Sequence, residues 1–308
     1  MSTRAVLALL GTLALAFFVV GVVRRRTAHS PAARRFFNST PAAWGLFILT
    51  FFAAVALAAP WVAPYDPAVQ LEIVTLKNQG PSLLHPLGTD LYSRDVWSRL
   101  AYGARVSLSI AALAMLVAVT LGALVGAVAG YVRSWVDTAL MRTVDVGLAI
   151  PRIFLLLMAI ALWEHLPLWL LVLVIGVTGW FGTSRLVRAE VLTLRERDFV
   201  AAARALGAGP MRIIVRHVLP NVAAPIIVSA ALGIGNVMLL EAGLSFLGIG
   251  VQPPLPSWGN MIADGAPQLS TAWWTTVFPG VTIALVVMSL HAVGDALRDA
   301  LDPRRAAA

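Results

Sequence analysis

Seven long apolar stretches constrain this chain more than any other feature of its sequence. The hydrocarbon core of a bilayer is about 30 Å thick, so a crossing helix needs about 20 mostly apolar residues. Stretches that meet this requirement are residues 5–23, 44–63, 106–131, 144–163, 167–187, 219–240 and 275–294. The sequence therefore predicts an all-α polytopic membrane protein.

The composition agrees with this prediction. Of the 308 residues, 59% are hydrophobic and 12% are charged, whereas about a quarter of a typical soluble domain is charged. The net charge of +8 comes from short arginine blocks between the apolar stretches, not from one basic face, so no nucleic-acid partner is expected. The chain has no cysteine, which excludes disulfides and thiolate metal sites.

Arginine placement predicts the orientation of the spans. If loop 24–43 is cytoplasmic, most arginines of the chain fall on the cytoplasmic side, including Arg304 and Arg305 of the tail. The basic residues left outside are Arg4, Lys77, Arg94, Arg99 and Arg105. The positive-inside rule then predicts an N-terminus outside and a C-terminus in the cytoplasm. Because Arg24–Arg26 directly follow the first stretch, it is interpreted as an anchor and not as a cleaved leader.

The segment RDFVAAARALGAGPMRIIVRHVLPN, residues 197–221, interrupts the apolar stretches with alanine and arginine. Helical spacing gives two faces, one with Phe199, Ala202, Ala203 and Leu206 and one with Arg197, Ala201 and Arg204. Gly207 is expected to end the helix in the left-handed conformation. The small side chains suit insertion into a groove on a partner protein, and a helix lying in the lipid headgroup layer fits the residues equally well.

The same segment resembles the cytoplasmic loop of ABC-transporter permeases, whose pattern is Glu-Ala-Ala, three residues, glycine, and a later Leu-Pro. The matching positions are Ala202, Ala203, Gly207, Leu219 and Pro220. Residues 85–110 (HPLGTDLYSRDVWSRLAYGARVSLSI), 130–151, 216–221 (RHVLPN) and 241–261 (EAGLSFLGIGVQPPLPSWGNM) resemble the second permease of dipeptide and oligopeptide importers, whose family includes nickel importers. The resemblance covers about residues 42–303.

The resemblance implies a type I ABC importer permease core of six helices, to which this chain adds one N-terminal transmembrane helix. The implied parts are residues 1–42 with the extra helix and a basic loop, 43–104 with the first core helix and outer loop, 105–295 with the permease core and a coupling loop at 188–218, and the cytoplasmic tail 296–308.

The resemblance also implies the function of a translocation subunit for di- or oligopeptides or related small solutes, in the inner (plasma) membrane of a prokaryote. The implied partners are a homologous permease, two ATP-binding cassette ATPase subunits, an extracytoplasmic substrate-binding protein and membrane lipid. The implied ATPase-coupling residues are Phe199, Ala201, Ala202, Ala203, Arg204, Leu206, Gly207, Leu219 and Pro220. No cofactor or catalytic residue is expected. A Walker loop needs the pattern Gly-x-x-x-x-Gly-Lys-Ser/Thr, and the only lysine, Lys77, lies in the predicted outer loop.

One residue departs from the family pattern. Ala201 occupies the glutamate position of the loop, between Arg197 and Arg204, with which a carboxylate there could pair. The departure removes any contact made by that side chain and leaves the helix itself in place.

Glu241 and Ser245 are candidates for lining the translocation path. Carboxylates inside membranes usually face a cavity or a partner, and Glu241 could meet a peptide's ammonium group. A carboxylate that caps local backbone fits the sequence equally well. Ser245 and His291 could also be the nucleophile and base of an intramembrane protease, but the predicted topology separates them by about 30 Å.

Other polar residues receive simpler interpretations. Asp145 and Arg152 are expected near the inner interface, paired or extended toward water. His85 is interpreted as isolated from any carboxylate, so no metal site is expected. The aromatic belt at the outer interface is assigned Trp258, Trp273 and Trp274.

A secondary transporter driven by an ion gradient is the alternative function. It predicts charged residues at the membrane midplane, in broken helices, and an inverted repeat. Most predicted spans lack acidic residues at their centres, which favours the ATP-driven importer.

Overall fold

The computed structural model describes residues 3–27, 29–163 and 166–301, and these residues form helices connected by turns and loops. The tail arginines Arg304 and Arg305 lie outside the described residues. The first seven helices are α1 (Thr3–Thr27), α2 (Pro31–Asn38), α3 (Thr40–Leu57), α4 (Ala59–Val62), α5 (Val96–Val132), α6 (Trp135–Ala149) and α7 (Arg152–Ile160). The next seven are α8 (Leu168–Val177), α9 (Trp180–Leu194), α10 (Asp198–Ala205), α11 (Pro210–Ile213), α12 (Ala223–Phe246), α13 (Trp258–Gly265) and α14 (Trp274–Leu301).

Five helical segments in the described part of the chain are long and apolar enough to cross a membrane. They are α1, α3, α5, the segment Pro210–Phe246 and α14. Two bent pairs, α6 with α7 and α8 with α9, raise the number to seven if each pair is one span. The predicted all-α polytopic fold is therefore confirmed.

The span predicted at 144–163 is not straight. Helices α6 and α7 meet at an angle of 88°. Ile150 is extended, with φ −93° and ψ 127°, because the ring of Pro151 disfavours a helical conformation in the preceding residue. The span predicted at 167–187 is also bent, by 41° between α8 and α9.

The helix predicted to begin at residue 106 begins ten residues earlier, at Val96. The carboxylate of Asp95 precedes it and accepts hydrogen bonds from the backbone N–H and the hydroxyl of Ser98, at 2.8 and 2.7 Å. A carboxylate in this position satisfies N–H groups that the first helical turn leaves unpaired. The polar residues Arg99 and Arg105 concealed this start in the sequence, because they break the apolar pattern.

The chain forms two compact units, each with its own packing. The first contains the described residues of Met1–Ala111 and Ile234–Ala308. In it α3 packs closely on α14, and a Cβ added at Gly45 would lie 2.9 Å from the carbonyl oxygen of Ser289. Helix α1 packs on α3 and α4, and its buried residues are Ala5, Thr12 and Ala16.

The second unit, Ala112–Gly233, contains the bent pairs and α10. Its helices surround a cluster of buried apolar side chains drawn from α5, α9, α10 and the segment 213–222. The members are Ala127, Tyr131, Val187, Val191, Val200, Ala203, Ile213, Ile214, Val218 and Val222, hereafter the loop core.

Candidate functional sites

Helix α10 has the short, sharply ended form that the sequence predicts. Asp198 lies in its first turn, where a carboxylate interacts favourably with the helix dipole. At the other end Gly207 has φ +79°, and its N–H donates to the carbonyl oxygen of Arg204 at 3.0 Å. The N–H of Ala208 donates to the carbonyl oxygen of Ala203 at 3.1 Å, which completes a Schellman motif. Residues 206–209 therefore fix how α10 leads into α11.

The predicted apolar face of α10 is divided in the structure. Ala203 is buried in the loop core together with Val200, so these two side chains hold α10 against the rest of the chain. Phe199, Ala202 and Leu206 are exposed, and Leu206 has 88% of its surface accessible. The assignment of Ala202 and Ala203 to one contact face was wrong, because Ala203 points inward and Ala202 outward. Ala201 and Arg204 are exposed as well.

Tyr131, near the end of α5, connects three parts of the loop. Its carbonyl oxygen accepts a hydrogen bond from Nη1 of Arg195 at 2.7 Å. Its ring lies 5.8 Å from the guanidinium carbon of Arg204, within the range of a cation–π contact. Its side chain is also part of the loop core. A displacement of α10 is therefore coupled to the end of α5 by direct contacts.

Leu219 and Pro220 lie beyond α10, where the helix geometry changes twice. Residues Ile214–Val218 form a π-helical turn and Leu219–Val222 a 3₁₀ turn before α12 begins. Pro220 has no N–H to donate and its ring crowds the carbonyl group one turn earlier, which disfavours a regular α-helix here. Leu219 packs against the loop core and Pro220 is exposed, so this pair shapes the entry into α12.

Substitution of Gly207 tests the end of α10. A Cβ at Gly207 would meet no atom within 4 Å, so the cost of Gly207→Val arises only from the positive φ, about 1 kcal/mol or more. We expect the protein to insert normally and transport to fall several-fold. Uptake by the assembled transporter measures the effect.

Gly209→Val is the matched control for that substitution. Gly209 also has open space around its Cβ position, but its φ is −70°, which any residue adopts. Equal uptake by the two variants would show that the conformation of Gly207 does not matter for transport.

Glu241 and Ser245 form a buried polar cluster, and neither reaches the surface of the described chain. Glu241 is 1% exposed and Ser245 3%. The carboxyl group of Glu241 accepts hydrogen bonds from the hydroxyls of Ser107 at 3.2 Å and Ser245 at 2.7 Å. Those hydroxyls in turn accept from the backbone N–H groups of Trp258 at 3.1 Å and Val251 at 3.0 Å. In this conformation the cluster ties loop 247–257 to α5 and α12 and does not line an open path.

The same loop is held from its other end by Asn260. Its side-chain amide donates to the carbonyl oxygens of Leu255 at 2.9 Å and Val251 at 3.3 Å. With Ser257 it forms a capping box that starts α13. The neighbouring Gly259 packs against α12 so closely that a Cβ there would lie 2.6 Å from Cα of Ala242.

Two of the predicted belt tryptophans are core residues instead. Trp258 is fully buried and its indole N–H donates to the carbonyl oxygen of Leu100 at 3.0 Å. Trp274 is 8% exposed and donates to the carbonyl oxygen of Thr89 at 3.1 Å. Trp273 is exposed. Hydropathy alone does not distinguish an interfacial tryptophan from one whose N–H finds a buried partner.

Near the start of α5, four charged side chains form a network in which three are buried and the fourth, Asp264 of α13, is partly exposed. Arg94 and Arg99 each contact both Asp90 and Asp264, with nitrogen–oxygen distances of 2.7 to 3.1 Å. The pKa of Asp264 is raised above its usual value, mainly because burial disfavours the charged carboxylate. The positive charge of Arg94 lowers this pKa, and the nearby Asp90 raises it. The network joins the segment before α5 to α13.

His85 is not isolated, contrary to the prediction. Its Nδ1 lies 2.9 Å from Oδ1 of Asp95, and both side chains are buried. The ring also stacks on Tyr65, with centroids 5.1 Å apart. Within residues 3–27, 29–163 and 166–301, no three His, Cys, Asp or Glu side chains are arranged to hold a metal ion.

Asp145 and Arg152 do not pair with each other. Asp145 contacts Arg185 and, at 3.8 Å, Arg142. Nη2 of Arg152 instead donates to the carbonyl oxygen of Ile175 at 2.6 Å, because the bend at Pro151 separates α7 from α6.

The geometry excludes the hypothesis that Ser245 and His291 are the nucleophile and base of a protease. His291 lies beside Gly235, where an added Cβ would be 3.7 Å from Nε2. Gly235 precedes Ser245 by ten residues in α12, which corresponds to about 15 Å along the helix. Ser245 bonds to Glu241 and Val251.

These features define a multi-pass helical membrane protein with a short exposed helix between two spans. Residues 118–307 match the family described as binding-protein-dependent transport system inner membrane component, and residues 30–81 match the N-terminal TM domain of oligopeptide transport permease C. The chain belongs to the family of binding-protein-dependent transport system inner membrane components, and its core has the type I ABC importer permease fold.

Individual relatives support the same assignment. The chain is 42% identical over 266 residues to the dipeptide transport system permease protein DppC of Alkalihalophilus pseudofirmus, with 84% of each chain covered. It is 40% identical over 275 residues to a putative peptide transport system permease protein of Brucella suis, with 88% of this chain and 90% of the relative covered. The predicted resemblance is confirmed, and nothing in these matches supports a secondary transporter.

Proposed function

We propose that this protein forms half of the translocation pathway of an ATP-driven importer of di- or oligopeptides or related small solutes. The observation that carries the proposal is the exposed apolar surface of α10, with Phe199, Ala202 and Leu206, on a helix whose adjacent face is fixed in the loop core. A helix of this kind is suited to a groove on a partner protein. The names of the relatives supply the solute class.

The partners in this proposal are a second, homologous permease, two ATPase subunits and an extracytoplasmic substrate-binding protein. The ATPase cleft receives α10, and residues 188–218 act as the coupling loop of a permease core that comprises residues 105–295. ATP hydrolysis takes place on the partner subunits in this proposal. A Walker loop requires the pattern Gly-x-x-x-x-Gly-Lys-Ser/Thr, and the only lysine of this chain, Lys77, follows Leu76 and not a glycine.

Force applied to α10 reaches the spans through the loop core. Val200 and Ala203 of α10 share this cluster with Val187 and Val191 of α9 and with Tyr131 of α5. Close-packed side chains move together because separating them loses apolar contacts. Closure of the ATPases would therefore shift the ends of α9 and α5. This shift would open the pathway alternately to the two sides of the membrane.

Reconstitution tests the proposal. The complete complex in proteoliposomes should transport peptides only when ATP is present on the side of the membrane that carries the ATPase subunits. Transport should also require the binding protein on the opposite side. A complex whose ATPase subunits bind but do not hydrolyse ATP is the control. Peptide uptake that continues without ATP and stops when the ion gradient is dissipated would contradict the proposal and favour a secondary transporter.

Orientation is a further part of the proposal, with the N-terminus outside and the C-terminus in the cytoplasm. Arg24–Arg26 hold the loop between α1 and α3 in the cytoplasm. A reporter enzyme that is active only outside the cytoplasm should be silent when fused within residues 24–42 and active when fused near Asn78. An active fusion within 24–42 would exclude this orientation.

A further inference from the structure

The last turn of α1 carries three exposed arginines. In the described part of the chain no carboxylate lies within ion-pair distance of Arg24, Arg25 or Arg26. The sequence offers no nearby neutralising residue either, because Asp66 is the first acidic residue of the chain. Any counter-charge that binds these exposed arginines therefore comes from outside the described part of the chain.

The exposed surface of α1 continues from these arginines as an apolar strip. Leu7, Phe18 and Arg25 are separated by eleven and seven residues, which places them on one line along the helix. Leu7 is 64% exposed and Phe18 is 68% exposed. Leu15, 49% exposed, lies eleven residues before Arg26 and extends the strip toward it. The buried residues of α1, which are Ala5, Thr12 and Ala16, lie on another side of the helix, so the strip is separate from that buried side.

The dimensions of this surface match one leaflet of a bilayer. From Leu15 to Arg25 the helix rises about 15 Å, which is half of the hydrocarbon thickness of about 30 Å. An acyl chain lying along Leu15 and Phe18 would thus bring its headgroup to Arg25 and Arg26. The guanidinium group binds phosphate oxygens with two parallel hydrogen bonds.

We propose that Arg25 and Arg26, together with the exposed strip of α1, form a binding site for an anionic phospholipid. Charge complementarity identifies the occupant, since an anionic phospholipid supplies both an acyl chain for the apolar strip and a phosphate group for the arginines. Arg24 lies to one side of the strip and contributes through its charge. The site would anchor α1, and with it α3, to the surrounding lipid.

The test compares phosphatidylglycerol with phosphatidylcholine. The purified full-length protein is exchanged into an equimolar mixture of the two lipids, and the retained lipid is identified by mass spectrometry. Two arginines near a headgroup should favour phosphatidylglycerol by about tenfold, and raised salt should weaken this preference. No preference in the unmodified protein would overturn the proposal without any substitution.

Substitutions locate the site. Arg25→Gln/Arg26→Gln should lose the preference, and Arg25→Lys/Arg26→Lys should keep most of it. The matched control, Arg212→Gln/Arg216→Gln, removes the same charge from two other exposed arginines and should retain the preference. The reporter fusion described above verifies that α1 keeps its orientation in each variant. Equal losses in the two glutamine variants, or a co-purifying protein held by α1 in place of lipid, would also overturn the proposal.

Discussion

Ala202→Glu is expected to lower the substrate-stimulated ATPase activity of the assembled transporter by at least about tenfold. Ala202 is exposed between Phe199 and Leu206, so the new carboxylate would not disturb the packing of this chain. If this face enters an ATPase cleft, the carboxylate loses water without gaining a partner, and an unpaired buried charge costs several kcal/mol. Each 1.4 kcal/mol corresponds to about a tenfold change in an equilibrium constant.

Ala201→Glu is the matched control, because it places the same side chain one position earlier on the same helix. Ala201 occupies the glutamate position of the family pattern, and a carboxylate there could pair with Arg197 or Arg204. Such a helical pair is worth about 0.2–0.5 kcal/mol, so ATPase activity should change less than a few-fold. If Ala201→Glu is as damaging as Ala202→Glu, the partner cleft has adapted to alanine and the assigned contact face is wrong.

Ala203→Glu separates coupling from folding. Ala203 is 8% exposed and belongs to the loop core, so a carboxylate there would be buried inside this chain. We expect reduced thermal stability of the purified protein as well as lost coupling, whereas Ala202→Glu should lower coupling alone. Identical melting temperatures of the two variants would show that the packing of Ala203 contributes little.

The sequence predicted those parts of the fold that depend on local pattern. Apolar stretches of sufficient length predicted the spans, and Gly207 predicted the end of α10, because both signals are local in the sequence. The bend at Pro151 is local as well, and its signal was present in the sequence. The apolar pattern of residues 144–163 nevertheless predicted one continuous span, so the structure was needed to reveal the bend and its size of 88°.

Contacts between residues that are far apart in the chain could not be predicted from the sequence. Glu241 meets Ser107 across 134 positions, and Arg94 meets Asp264 across 170. Pairing of this kind allows charged and polar side chains to be buried, so a residue that appears interfacial or path-lining becomes part of the core. The two faces of α10 were also mixed, since alanine carries too little hydrophobic contrast to show which side is buried.

Glu241→Ala is expected to release the loop that follows α12. The substitution removes the acceptor of two buried hydroxyl donors, Ser107 and Ser245, and a buried hydrogen bond lost in this way costs about 1–3 kcal/mol. The oxygen atoms of those hydroxyls accept hydrogen bonds from the backbone N–H groups of Val251 and Trp258. Hydrogen exchange at these two amides should therefore accelerate by about ten- to a hundredfold.

Glu196→Ala is the control for that measurement, because Glu196 is an exposed carboxylate whose side chain is 67% accessible and pairs only with Arg133 and Arg195 in the described chain. It should leave hydrogen exchange at Val251 and Trp258 unchanged.

Hydrogen exchange and peptide uptake, compared in Glu241→Ala, also decide between two roles for Glu241. If exchange stays slow in Glu241→Ala while peptide uptake falls, the carboxyl group acts on the solute and not on the loop. If exchange accelerates and uptake falls with it, the buried cluster governs transport by holding the loop in place.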